Sequence, residues 1–217
     1  MRTVESASGT QHSSGARSRL DTARMVNLPL VRDVDGHSIM SLIRTRRSIR
    51  SFSTRELTWA EVGSLLWAAQ GVTETHDGRR AVPSAGALYP LELDVILRSG
   101  VFRYRCEQHS LLPRSADDIR EAVSEAADGQ TWIAEAPCLL SFAAITRRTA
   151  QKYGPRSPRY VNLEAGHAAQ NALLMATALG LVGTPVGAFD DEKLARTLAL
   201  ERLAEPLYLV ALGWPCP

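Results

Sequence analysis

Cysteine is scarce in this sequence. Cys106, Cys138 and Cys216 are far apart, odd in number and form no C-x-x-C pair, which indicates neither a disulfide framework nor a structural zinc site. A reducing, cytoplasmic setting is the expected one. Long apolar runs are missing as well: none approaches the roughly 18–20 residues that a membrane-spanning helix needs, so no membrane partner is expected. Charge of one sign is also lacking. Twenty-five Lys and Arg against 23 Asp and Glu leave a net charge of +2, too slight to argue for nucleic acid, whose binders concentrate basic side chains on one face. No G-x-G-x-x-G or G-x-x-x-x-G-K-[ST] loop is present, and no G-x-S-x-G elbow, so the common nucleotide loops and a serine nucleophile are not indicated.

What is present suits a folded domain. Of 217 residues, 45% are hydrophobic and 22% charged, ordinary values for a globular chain that buries a sizeable core. Residues 1–24 are rich in Ser, Thr, Gly, Gln and Arg without an apolar core segment; they read as a flexible tail and not a secretory signal. Residues 25–217 read as one domain.

The clearest element is a helix opened by Thr58-Trp59-Ala60-Glu61, a capping box, with Leu57 and Val62 placed as a hydrophobic staple and Gly71 at its end. A short helix over Ser38–Arg44 precedes the basic run Arg44–Arg50. Residues 72–83 read as a polar loop. Leu91–Leu97 alternates like a strand, Arg98-Ser99-Gly100 turns it, and Val101–Tyr104 returns as a hairpin partner. Ser115 and Asp118 open a helix running to Ala127, and Cys138–Ile145 is a continuous apolar run, read as a buried strand. The longest helix spans Tyr160–Leu179, with Ala165, Ala168, Ala169, Ala172 and Ala176 on one face. A strand from Leu181 to Val186, a helix from Asp190 to Leu200 and a strand from Leu207 to Leu212 complete the chain. Mixed elements without a βαβ repeat predict the α+β class.

Several segments could carry chemistry, each with a bland alternative. Arg46-Arg47-Ser48-x-Arg50 could grip phosphate through paired guanidinium donors and a hydroxyl, or be a solvated basic turn. Pro83-Ser84-Ala85-Gly86 could let a flat ligand approach bare backbone, or be only a turn, and Val186-Gly187-Ala188 invites the same choice. Glu164-x-x-His167 has the spacing of di-iron helices, but such sites need two such pairs. No metal is therefore expected, and His167 reads as a hydrogen-bonded core residue. Lys152-Tyr153, in a basic stretch, could act as acid or base or lie on the surface.

Taken in order, five segments resemble the flavin-dependent nitroreductase superfamily, and within it the SagB-type dehydrogenases that oxidise thiazolines and oxazolines. They are Arg46–Phe52, Leu65–Gly71, Pro83–Glu92, Leu163–Asn171 and Pro185–Asp190. The resemblance implies FMN, a nitroreductase-like α+β fold with a central mixed sheet and long core helices, and a homodimer with flavin at its interface. It places Arg46, Arg47 and Ser48 on the FMN phosphate and Arg50 at the pyrimidine edge. Pro83, Ser84, Ala85, Gly86 and Leu88 would lie along the ring, and the Val186 and Gly187 amides near N5. Lys152 and Tyr153 match a catalytic pair of azoline-oxidising relatives. The expected substrate is a small heterocycle or a modified peptide, with other biosynthetic enzymes as partners. Two alternatives remain open at this point: an NAD(P)H-dependent nitro- or quinone reductase, and a non-catalytic subunit that organises a biosynthetic complex. Residues 213–217 carry none of the basic side chains that many nitroreductases place there, so Arg46 and Arg47 are expected to bear more of the phosphate.

Overall fold

The computed structural model describes residues 25–217; the tail expected over 1–24 lies outside the described residues. In chain order the elements are β1 (Val26–Asn27), α1 (Ile39–Thr45), α2 (Trp59–Gln70), β2 (Val72–Glu74), β3 (Arg79–Arg80), β4 (Leu91–Leu97), β5 (Gly100–Arg105) and β6 (Ser110–Ser115). They continue as α3 (Arg120–Ala126), α4 (Trp132–Glu135), β7 (Cys138–Ala144), α5 (Arg147–Tyr153), α6 (Ser157–Ala178), β8 (Val182–Val186), α7 (Asp191–Thr197) and β9 (Glu205–Gly213). No helix among the described residues is long and apolar enough to cross a membrane.

Seven strands form the main sheet in the order β1-β6-β5-β4-β7-β9-β8. Each neighbouring pair is antiparallel, and the parallel component of the expected mixed sheet is the single bridge from Ser48 to Gly183 at the β8 edge. Side chains alternate between the faces of a strand. Leu91, Leu93 and Val95 of β4, with Leu140 and Phe142 of β7, share one core with α2 and α6. Ile96, Leu139, Leu209 and Ala211 share the other with residues of α3, α4 and α7. Burial on both faces makes β7 a continuous apolar run instead of an alternating one.

The capping box of α2 forms as its sequence implies: Glu61 N–H donates to Thr58 Oγ1 and Thr58 N–H donates to Glu61 Oε2. Gly71 ends the helix in extended backbone, not the left-handed cap that glycine often adopts. Its reason for being glycine is space, since a Cβ there would lie 2.2 Å from the Trp67 ring. Along α6, Ala165, Ala168, Ala169, Ala172 and Ala176 are all buried and share a core with Val62, Leu65 and Leu66 of α2.

Four local expectations change. The polar loop over 72–83 contains the β2–β3 hairpin. Ser115 ends β6 instead of opening a helix, and α3 starts at Arg120 without a side-chain cap. Pro113 hid β6, because proline removes a ladder donor; it is tolerated beyond the stretch that the two-residue β1 covers. Finally, His167 is exposed and not a core residue: it lies one turn beyond Glu164, on the solvent side of α6.

Ala172→Leu tests the close approach along α6. Ala172 is fully buried, so the larger side chain should cost about 1–3 kcal/mol by overpacking, read as a lower urea midpoint with an unchanged m-value.

Candidate active site

The arginine segment leaves α1 and runs along the sheet edge. Ile49 N–H donates to the Gly183 carbonyl at 3.2 Å, and Thr184 Oγ1 donates to the Ile49 carbonyl at 2.7 Å. These bonds stitch residues 46–50 to β8, whose end is Val186-Gly187. Arg47 Nη1 donates to the Arg44 and Arg46 carbonyls at 2.8 and 2.7 Å, and the Arg50 guanidinium stands 5.6 Å from the Trp132 ring centre. Among the described residues, none of Arg46, Arg47 and Arg50 is paired with a carboxylate. Val186 is buried and Gly187 exposed. A Cβ at Gly187 would meet only the Tyr208 ring, at 3.6 Å, so a flat group has room against its backbone.

The second group is the turn before β4. Gly86, Ala87 and Tyr89 have φ of +65°, +54° and +44°, left-handed values that side-chain-bearing residues adopt only when the surroundings hold them there. Tyr89 N–H donates to Ser84 Oγ at 3.0 Å, and Arg80 N–H donates to Tyr89 Oη at 3.2 Å while its guanidinium stacks over the same ring. Arg148 Nη1 of α5 donates to the Tyr89 carbonyl at 3.3 Å. α5 thereby comes down on the turn. The position a Gly86 Cβ would take is 3.0 Å from Tyr153 Oη and 3.1 Å from Lys152 Nζ, so the two polar atoms converge over bare backbone. Lys152 itself is exposed and Tyr153 half-buried, with its ring edge-on to Tyr160 at 4.9 Å.

A ladder of charges fixes Arg148. Its Nη2 meets Glu92 Oε1 at 2.5 Å, and Glu92 also pairs with Arg103. Arg103 Nε reaches Asp94 Oδ1 at 2.6 Å, and Arg114 Nη1 reaches Asp94 Oδ2 at 2.7 Å. Asp94 and Arg103 are buried, so removing one partner would strand a charge in low dielectric. Sequence reasoning missed this ladder, and with it Arg80 and Arg148. Its signal was Glu92 and Asp94 at every second place of an apolar strand, with Arg103 likewise placed on the return strand.

Ser48 and Ile49 of the arginine segment thus pair with Gly183 and Thr184 of β8, the strand that ends at Val186, and Gly86 of the turn meets Lys152 and Tyr153. The two groups stay apart within one chain. Pairing runs from Val186 to Leu209, to Ser141, to Asp94, and these three strand steps span roughly 14 Å. Two cavities lie elsewhere: a cleft of about 840 Å³ beside Leu30, Leu42, Trp67 and Met175, and a polar one of about 340 Å³ behind the turn, lined by Arg80, Tyr89 and Arg148. Among the described residues no group of three or more His, Cys, Asp or Glu could hold a metal. Burial pushes the Cys138 thiol up to about 12, in keeping with a packing role.

The sequence profile of the Nitroreductase family matches residues 43–214. MJ1384, a nitroreductase-named protein of Methanocaldococcus jannaschii, is 40% identical over 187 residues, covering 83% of this chain and 93% of that one. The microcin B17-processing protein McbC of Escherichia coli is 27% identical over 147 residues, 62% of this chain and 54% of McbC. A nitroreductase-named structure from Ralstonia eutropha aligns with a TM-score of 0.82 at 28% identity, over 89% of this chain and 90% of that one. Two further structures share the fold at lower identity. One is from the E. coli microcin synthetase McbBCD complex with truncated pro-MccB17 bound, with a TM-score of 0.69 at 22% identity, over 96% and 85% of the two chains. The other is the NADPH:FMN oxidoreductase of Vibrio harveyi complexed with NAD+, with a TM-score of 0.62 at 19% identity, over 82% and 69%.

Gly86→Ala should destabilise the fold by about 1–2 kcal/mol through its left-handed backbone, and should also press on the Lys152 and Tyr153 tips. Urea unfolding checks this: Lys152→Ala in the Gly86→Ala background should recover part of the loss, because it removes one of the two close contacts.

Proposed function

This chain belongs to the nitroreductase family of oxidoreductases, and from that premise we propose that it is an FMN-dependent dehydrogenase of SagB type. Its substrate would be an azoline-like heterocycle or a peptide bearing one, within natural-product biosynthesis. The observation that carries the reading is the convergence of Lys152 Nζ and Tyr153 Oη over Gly86. Similarity to McbC, a microcin-processing protein, supports the same substrate class, and the McbBCD complex supports other biosynthetic enzymes as partners.

The residues present fit FMN. Three guanidinium groups in five residues repel one another without a neighbouring carboxylate, so a bound dianion relieves that repulsion, and Gly187 offers bare backbone just past the end of β8, the strand on which residues 48–49 pair. Arg46 and Arg47 would hold the phosphate with Ser48, and Arg50 would face the pyrimidine edge. Val186 and Gly187 would lie beneath the reacting face, with Pro83, Ser84, Ala85, Gly86 and Leu88 along the ring. FMN, when bound, supplies the hydride acceptor. The Lys152 Nζ and Tyr153 Oη pair then holds the substrate ring and takes the proton from the ring carbon next to the one that gives up hydride.

The distance across the sheet supports a site built from two copies. A homodimer would let the Arg46–Arg50 and Val186–Gly187 group of one copy face the Pro83–Leu88 and Lys152–Tyr153 group of the other, with residues 25–217 acting as one flavin-binding domain. A second reading, an NAD(P)H-dependent nitro- or quinone reductase, is favoured by the 40% identity to MJ1384 and by the fold shared with the NAD+-complexed oxidoreductase. Stopped-flow reduction by NADH and NADPH separates the two: fast reduction selects the reductase, and failure of both nicotinamides selects the dehydrogenase.

The purified protein should show flavin absorbance and release FMN on denaturation; a colourless protein that refuses added FMN would leave a binding subunit on a family fold. Arg46→Ala with Arg47→Ala should weaken FMN binding by about 100-fold or more, at about 1.5–3 kcal/mol for each charged hydrogen bond. Lys152→Ala and Tyr153→Phe should keep FMN and slow azoline oxidation by about 10²–10⁴-fold. Unchanged turnover in both would return the pair to the surface.

A further inference from the structure

α5 carries Lys152 and Tyr153, and little in its own sequence holds it in place. It is seven residues long, starts without a side-chain cap and ends at Gly154 with φ +52°. Helices shorter than roughly 12 residues are marginal alone and take their placement from what they are tied to. At its far end Tyr153 packs edge-on to Tyr160 of α6. At its near end two bonds reach the turn before β4. Ile145 N–H, just ahead of the helix, donates to the Pro90 carbonyl at 2.9 Å, and Arg148 Nη1 donates to the Tyr89 carbonyl at 3.3 Å.

Arg148 differs from the backbone bond in that it reaches two places at once. Its Nη2 donates to Glu92 Oε1 at 2.5 Å, while Arg103 takes the other Glu92 oxygen. One nitrogen thus grips the sheet and the other grips Tyr89, whose backbone is left-handed. The Arg148 side chain is 41% exposed, so its ion pair adds little to stability. Arg103 does not depend on it either, since Asp94 accepts from Arg103 Nε and Nη2 at 2.6 and 3.1 Å. What a planar fork on two acceptors fixes is geometry. Arg148 also lies four residues before Lys152, one turn back on the same face of α5.

We propose that Arg148 is a positioning residue: its fork, spanning Tyr89 and Glu92, sets α5 over the turn and so brings Lys152 Nζ and Tyr153 Oη onto Gly86. The consequence for substrate oxidation rests on the function proposed above; the bonding does not.

A double-mutant cycle in urea unfolding of the full chain reads this placement without flavin or substrate. Gly86→Ala and Lys152→Ala are made singly and together in the parent, in Arg148→Lys and in Arg148→Ala. In the parent the close approach of Lys152 Nζ to a Gly86 Cβ makes the two changes non-additive. The folding constant of the double variant should exceed the product expected from the single ones by about threefold or more. Arg148→Lys keeps a charge beside Glu92 but lacks the planar fork. It should keep the parent's urea midpoint nearly unchanged and bring the coupling to within about 1.5-fold of none. Arg148→Ala should lose the coupling too, and Arg148→Lys decides alone should that variant fail to fold. An arginine that merely stabilises the fold lowers all four corners of the cycle equally, so coupling kept at its parent value in Arg148→Lys would overturn the proposal. A parent without coupling would do the same.

Oxidation of an azoline-containing peptide with FMN is scored apart from the cycle. There Arg148→Lys should lower kcat by about tenfold or more, because small misplacements of reacting groups are costly. A parent that refuses FMN or leaves the azoline intact, yet shows the coupling pattern, refutes the dehydrogenase reading and keeps the positioning role. A parent that oxidises the azoline while its coupling ignores Arg148 does the reverse.

Discussion

Close packing of α6 against α2 and the sheet is the constraint on which the rest of this protein depends. Alanine at five buried places along α6 keeps side-chain volume low where backbones meet, and dense interiors leave no slack to accommodate more. Two consequences follow for the site. The start of α6 receives the chain directly from α5, which brings Lys152 and Tyr153 to the level of Gly86. Further along, the same buried face carries Glu164, which accepts from Gln70 Nε2 at the end of α2.

The chain handles buried charge in two ways. On one face of β4, Glu92 and Asp94 are matched by Arg103, Arg114 and Arg148 in a run of charge-assisted bonds, so each charge has a counter-charge and the ladder anchors α5. Glu164 on the other side of the sheet accepts from the neutral Gln70 amide, and burial pushes its carboxyl above the usual carboxylate range. The first arrangement fixes geometry at little net gain in stability. The second leaves a carboxyl whose charged form burial disfavours.

Much of the fold was legible locally. The capping box, the β4–β5 hairpin, the apolar run of β7 and the alanine face of α6 each rest on residues within one or two turns of one another, and each appears where its pattern places it. The misses have particular causes. Pro113 masked β6, the β2–β3 hairpin is too short to show alternation, and His167 sits next in phase to a buried face without belonging to it.

The site divides along the same line. Residue order by itself determined the arginine cluster, the small-residue turn, the Lys-Tyr pair and the family they resemble, because the chemistry of each is written in neighbouring positions. Only the tertiary structure decided which of them meet. Hydrogen bonds between Ile49 and Gly183–Thr184 tie the arginine segment to β8, the Arg148 bond to Tyr89 ties α5 to the turn that contains Gly86, and three strand spacings hold the two groups apart. Glu164 acquired its meaning in the same way. In the sequence its nearest chemical neighbour is His167, whereas its hydrogen-bond partner in the fold is 94 positions away at Gln70, a distance over which spacing carries no signal and only packing does.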